Sequence, residues 1–181
     1  MTAKSHTTTT LAIGILPIYF YGYEILYIFD YLAIYLIGLV VGSLLPDIEE
    51  SHSYIGRKAV WLSSRLNKAI GHRKITHRIT VYIPIFFISY YMSLNSNSYV
   101  YIFLIGFSLG SILHSLEDCL TDGGVSEAMK PFIKNFVLLK REWRFNTNGK
   151  FENFIYYPII SIIFLTEVAF YLRLLFFHIK G

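Results

Sequence analysis

Apolar residues fall in five runs along the chain, separated by short polar turns or by longer loops rich in basic residues. The first covers Thr8–Tyr21 and holds Pro17, and a turn around Gly22–Asp30 leads into the second, which ends at Leu45-Pro46-Asp47. The third, Ile79–Leu94, and the fourth, Tyr99–Leu116, are joined by the turn Asn95–Ser98; the fifth, Phe154–Phe177, is the longest. Crossing a bilayer takes roughly 20 apolar residues, with a lower limit near 17, so several runs are short and call for local bilayer thinning. The pattern predicts an all-α integral membrane bundle of about five spans, a single domain over residues 1–181.

Composition supports this. The chain is 54% hydrophobic and 15% charged, with a mean hydropathy of +0.48, whereas a soluble domain carries about 25% charged residues. Five such runs would leave a soluble all-α protein too little polar surface. The single cysteine, Cys119, excludes an intramolecular disulfide and a thiolate metal cluster. The N-terminus lacks an apolar core followed by a small-residue cleavage site, so the first run reads as a retained span.

Threading the runs as two hairpins and a final span brings His6, Asp47, Arg78 and His114–Asp118 to one side of the membrane. That side also receives the loops Asp47–Arg78 and Glu117–Asn153, and all 16 Lys and Arg residues except Arg173 and Lys180. By the positive-inside rule it is cytoplasmic, with the N-terminus inside and the C-terminus outside. The formal charge of +4 is thus concentrated where anionic headgroups lie. The bilayer is the expected partner; nucleic acid is not, because no binding motif is present.

Five of the six histidines share the cytoplasmic side: His6, His52, His72, His77 and His114. His178, at the far end, reads as interfacial, and Glu167 lies deep in the last run, where ionisable groups call for a partner or a function. His114 and Asp118 are four residues apart, one helical turn, and project from one face. An imidazole and a carboxylate so placed can grip one divalent ion, zinc foremost, then manganese or iron. Asp47 is either a ligand or a cap on the following segment. His72 and His77, five apart, do not share a helical face, so one regular helix cannot offer both to one metal. An ion in this setting activates water for attack on an ester or phosphodiester. Arg73, Arg78 or Lys74 would hold the phosphate charge, and Glu117 or an unligated histidine would protonate the leaving group.

The ordered motifs are His6, Gly42-Ser-Leu-Leu-Pro-Asp-Ile-Glu49, Gly71-His-Arg-Lys-Ile-Thr-His77 and Gly110-Ser-Ile-Leu-His-Ser-Leu-Glu-Asp118 running on to Gly124 and Lys130-Pro-Phe132. With them the chain resembles the YdjM-like family of membrane-bound metal-dependent hydrolases. The likeness covers residues 6–132; residues 133–181 add a loop and the last span. It implies kinship with zinc-dependent phospholipases C and single-strand nucleases. It also implies one ion on Asp47, His72 or His77, His114 and Asp118, with His6 and a shared Asp118 at a second, and at most two ions. Glu49 stands where the family more often has aspartate, Lys74 where it has glycine and Arg78 where it has serine. The expected activity is hydrolysis of a phosphoester in a phospholipid or other membrane-associated substrate. The alternative is a non-catalytic scaffold or regulator with a structural metal. A transporter ranks last, since its ligands would lie at the bilayer midplane.

Overall fold

The computed structural model describes residues 1–21, 29–71, 73–96 and 98–180. Helices dominate: α1 (Ala3–Tyr21), α2 (Phe29–Leu44), α3 (Val60–Ile70), α4 (Ile79–Ser93), α5 (Tyr99–Asp118) and α6 (Tyr157–Lys180). Each of the five apolar runs is helical, and α3 fills part of the first basic loop. Among the described residues three stretches are long and apolar enough to cross a membrane: Asp30–Glu49, Tyr99–Asp118 and Glu152–Arg173. The helix α4 is apolar but only 15 residues long. The expected Gly22–Asp30 turn falls largely outside the described residues.

Packing of α2 on α5 positions everything that follows. Gly38 and Gly42 face Gly106 and Gly110, so each helix carries two glycines one turn apart. A Cβ would lie 2.4 Å from the Phe103 oxygen at Gly38, 2.1 Å from the Phe107 oxygen at Gly42, 2.3 Å from the Tyr35 oxygen at Gly106 and 2.5 Å from the Leu39 oxygen at Gly110. Small residues at this spacing let two backbones touch, the main source of helix association where lipid removes the hydrophobic drive. The ends of α2 and α5 are thereby locked together, and α4 packs against α5 while α1 leans on α2 and α6.

The polar start of α1 is not a loose tail. Ser5, His6, Thr9 and Thr10 are buried, because their polar groups find partners inside: Thr9 and the Tyr156 hydroxyl lie 2.9 Å apart. Glu152, at the π turn before α6, accepts the Thr2 N–H at 2.7 Å, the Thr2 hydroxyl at 2.8 Å and the Asn148 N–H at 2.7 Å. The last span, which the motif pattern leaves outside the core 6–132, therefore anchors the helix that carries His6.

The second loop folds back under α4. Ile79, Cys119, Val125 and Ala128 form a small apolar core, and the Ile79 N–H donates to the Ala128 carbonyl at 2.9 Å. The only bridge among the described residues joins Thr121 and Phe145. Gly124 has a φ of +56°, the region glycine enters at little cost. A Cβ on Gly123 would sit 2.0 Å from Arg73 Nη1 and one on Gly124 2.5 Å from Arg144 Nη1, so Gly123 admits the Arg73 guanidinium and Gly124 that of Arg144.

Candidate metal centre

Four donor atoms from three elements meet where α2 and α5 end. Asp47 comes from the 3-10 turn Leu45–Glu49, His77 from the turn Ile75–His77, and His114 and Asp118 from the last turns of α5. One ligand atom of each lies within 4.8 Å of all the others. His77 Nε2 is 3.4 Å from Asp47 Oδ1, 3.6 Å from Asp118 Oδ2 and 3.3 Å from His114 Nε2, which is 3.6 Å from Asp47 Oδ1. Donors 2.0–2.1 Å from a tetrahedral zinc ion stand roughly 3.3 Å apart. The four separations match that figure to within a few tenths of an ångström.

Proton placement points the same way. His114 Nδ1 lies 2.7 Å from the Ser43 carbonyl oxygen, which can only accept, so Nδ1 carries the proton and the neutral ring offers the Nε2 lone pair inward. The Thr76 hydroxyl donates to Glu49 and leaves its oxygen 3.1 Å from His77 Nδ1, with Glu49 Oε1 at 3.4 Å. His77 Nε2 is therefore also turned inward. His6 Nδ1 is held 2.7 Å from Glu117 Oε2, and its ring stacks on His114 with centroids 3.9 Å apart. All three rings have the outer nitrogen fixed by an oxygen, as metal-ligating histidines do.

Among the buried atoms that lack a hydrogen-bond partner are His6 Nε2 and Asp118 Oδ2, with Arg73 Nε beside them. Arg73 Nη2 is 2.8 Å from Asp118 Oδ2, yet no donor is aligned on that oxygen. Buried polar atoms are nearly always satisfied, and a cation would satisfy both kinds of lone pair. Asp118 divides its oxygens: Oδ2 faces the four-donor cluster, while Oδ1 lies 3.2 Å from His6 Nε2 and 2.5 Å from the Met1 ammonium. Burial lowers the basicity of His77, but Asp118, Asp47 and Glu49 outweigh it and push its pKa up to about 10. The pocket thus draws positive charge inward, as a proton or as an ion.

His77 is the histidine of the Gly71–His77 motif that reaches the cluster; His72 lies outside the described residues. Asp47 is not a helix cap: its oxygen faces two imidazoles. Arg73 meets the cluster through Asp118, in a left-handed conformation (φ 53°) with its N–H on the Glu49 carboxylate. Two of the expected residues stand differently from Arg73. Arg78 is drawn to the second loop: its Nη2 lies 2.5 Å from Glu127 Oε2, and Lys130 and Arg78 hold the Glu127 carboxyl down at about 2. Glu117, 4% exposed, is turned onto His6 and Thr10, which suits orienting a ring and not meeting a leaving group. Glu167, in the last span, keeps Oε2 without a hydrogen-bond partner.

Glu49 was legible only as a departure from the family pattern. It is fully buried and joins three pieces of the site: the Arg73 N–H, the Thr76 hydroxyl and His77 Nδ1. Its own carbonyl accepts from Asn67 Nδ2 at 3.0 Å.

A family model described as YdjM inner membrane protein matches residues 1–179. The chain belongs to the YdjM family. It is 31% identical to Inner membrane protein YdjM of Escherichia coli (strain K12) over 87 residues, 48% of this chain and 44% of that protein. The protein of the same name from Shigella flexneri matches to the same extent. Uncharacterized protein YvsG of Bacillus subtilis (strain 168) is 32% identical over 127 residues, 69% of this chain and 71% of that protein. The chain spans less than half the length of the two YdjM proteins it matches. No solved structure matches. Membership in an inner membrane family agrees with the crossing-length apolar helices, and a YdjM chain with this fold is a membrane protein.

Proposed function

We propose that the protein is a membrane-embedded metal-dependent hydrolase that cleaves a phosphoester or phosphodiester bond in a phospholipid or other membrane-associated substrate. The observation that carries this reading is the convergence of Asp47, His77, His114 and Asp118 within 4.8 Å of one another, with four of the separations at 3.3–3.6 Å, near those around a four-coordinate ion. Two imidazoles and two carboxylates suit zinc first, then manganese or iron. His6 Nε2 and Asp118 Oδ1 offer the beginning of a second position. A bound ion supplies Lewis acidity and lowers the pKa of water.

The chain's own groups do the rest. Glu49, the Ser43 carbonyl and Glu117 hold the three imidazoles in register. Among the donors, Asp47 is the one open to solvent, with 22% of its side chain exposed, and Arg73 beside the cluster is 20% exposed. Substrate enters on that side, where the Arg73 guanidinium meets the phosphate and steadies its growing charge. The kinship with zinc-dependent phospholipases C and nucleases that the family resemblance implies favours a phosphoester, and the position of the donors at helix ends supports a lipid headgroup. The basic residues of the two loops favour a cytoplasmic position for this end of the bundle.

A second reading has its own observation. Four protein donors close a tetrahedron, which is typical of structural zinc, whereas catalytic zinc keeps a water position. The test is a panel of phospholipids and model phosphodiesters given to the zinc-loaded chain in nanodiscs, alongside His114→Ala and Asp118→Ala. Turnover by the wild type that both variants lose supports the hydrolase. Full activity in the variants sinks it, and a tightly held metal with no turnover on any substrate establishes the structural reading instead.

A further inference from the structure

Both tryptophans of the chain, Trp61 and Trp143, stand in loops that leave the bundle at one end. The ends of α2 and α5 meet at Asp47, His114 and Asp118; α3 follows the first and the 119–151 loop follows the second. On α3 the buried side is narrow: Ser63 is buried and Asn67 reaches the Glu49 carbonyl. Away from it Trp61 is 66% exposed and Val60 is 56% exposed, and the Arg65 guanidinium lies 4.0 Å over the Trp61 ring. Arg57, Lys58, Arg65 and Lys68 occur here with no acidic residue between 57 and 70.

The second loop repeats the chemistry. Phe132 is 81% exposed, Val137 60% and Trp143 75%, interleaved with exposed Lys134, Lys140 and Arg141. None of these residues lies in a span, so lipid tails around the bundle do not account for them. Large apolar side chains grouped outside a span mark an interaction surface. Aromatic rings mixed with long basic side chains suit headgroup depth, where the ring sits at the interface and the cation reaches phosphate. The loop is tied at both ends to crossing-length helices, α5 and the Glu152–Arg173 stretch. The surface within its reach is therefore the leaflet these helices enter.

We propose that α3 and the 132–143 segment rest on that leaflet as a two-point interfacial collar around the metal centre, with both tryptophans at headgroup depth and the neighbouring basic residues on anionic phospholipid. Basic residues near an anionic surface are attracted to it, so the collar favours anionic over zwitterionic lipid. This holds whatever the metal centre catalyses.

The test uses the full chain in phosphatidylcholine nanodiscs, with and without phosphatidylglycerol. Trp143→Phe leaves Trp61 as the sole tryptophan, and Trp61→Phe leaves Trp143. Lipids brominated near the headgroup should quench each tryptophan, and aqueous acrylamide should quench each less than in the denatured chain. Phosphatidylglycerol should deepen the protection. Arg65→Glu with Lys68→Glu should remove that gain at Trp61, and Lys140→Glu with Arg141→Glu should remove it at Trp143. Should a phenylalanine variant fail to fold, 5-fluorotryptophan in the wild-type chain reads both sites by fluorine NMR with the same lipids and a soluble paramagnetic agent. Acrylamide quenching equal to the denatured chain, without lipid quenching, places the patches in water or against a protein and overturns the proposal. Protection indifferent to phosphatidylglycerol and to charge reversal overturns it as well.

Discussion

Gly42→Ala tests whether backbone contact between α2 and α5 sets the metal centre. The added methyl would lie 2.1 Å from the Phe107 oxygen and 2.9 Å from the Ser111 nitrogen, both main-chain atoms of α5. No rotamer relieves this contact, so the helices must part. Moving from 2.1 Å to the ordinary 3.4 Å requires about 1.3 Å of separation. Ser43 is the next residue, and its carbonyl holds His114 Nδ1 at 2.7 Å; the same shift breaks that bond and spreads donors now 3.3–3.6 Å apart. Overpacking of this kind costs about 1–3 kcal/mol, and losing a group that orients a ligand weakens metal binding roughly 10–100-fold. Thermal unfolding in detergent reads the first effect, and zinc titration against a chelator reads the second. Gly14→Ala is the comparison: the atoms nearest its methyl belong to the Leu39 side chain, 2.6 Å at the closest, and not to the α5 main chain, so metal affinity stays nearer wild type even where stability falls. A Gly42→Ala chain with unchanged midpoint and unchanged zinc affinity refutes the reasoning.

Other consequences follow from the same contacts. Glu49→Gln keeps the shape but removes the charge beside His77 Nδ1, and should weaken zinc binding by about 10–100-fold, measured by the same titration. Because the folded pKa of His77 is raised to about 10 from 6.5, its protonated form stabilises the metal-free chain fully below 6.5, and that contribution is lost as pH rises through 10. Zinc must displace the proton, so zinc affinity should climb about tenfold per pH unit between about pH 7 and pH 9, read by calorimetry in two buffers of different ionisation enthalpy; a flat profile contradicts the assignment. Arg73→Ala should depress turnover of a phosphodiester far more than Arg78→Ala, since Glu127 already engages Arg78; equal losses would return Arg78 to the substrate.

Much of this arrangement is readable from the chain. The five apolar runs mark the helices, and the four-residue spacing of His114 and Asp118 survives as one face of α5. Helix ends are less legible, because the first turns of α1 are polar and are buried only by partners such as Tyr156 and Glu117, more than a hundred residues away. The α2–α5 seam leaves a signal in the sequence, glycine pairs four apart at 38/42 and 106/110, which a reading centred on apolar length passes over. Glu49 reads as a departure from the family pattern and Glu117 as a proton donor until folding sets them against His77 and His6. Arg78 looks free until the second loop brings Glu127 to it. Neither relation has a local spacing to betray it.

The central claim is that Asp47, His77, His114 and Asp118 hold one divalent metal ion. Elemental analysis of the chain, purified without added metal or chelator and then loaded with zinc and desalted, tests it most directly when run beside Asp118→Ala and an exposed-histidine control, His52→Ala. The account predicts at least one tightly held zinc per chain in the wild type and His52→Ala, and loss of that ion in Asp118→Ala. No retained metal in the wild type, or equal retention in Asp118→Ala, would contradict it.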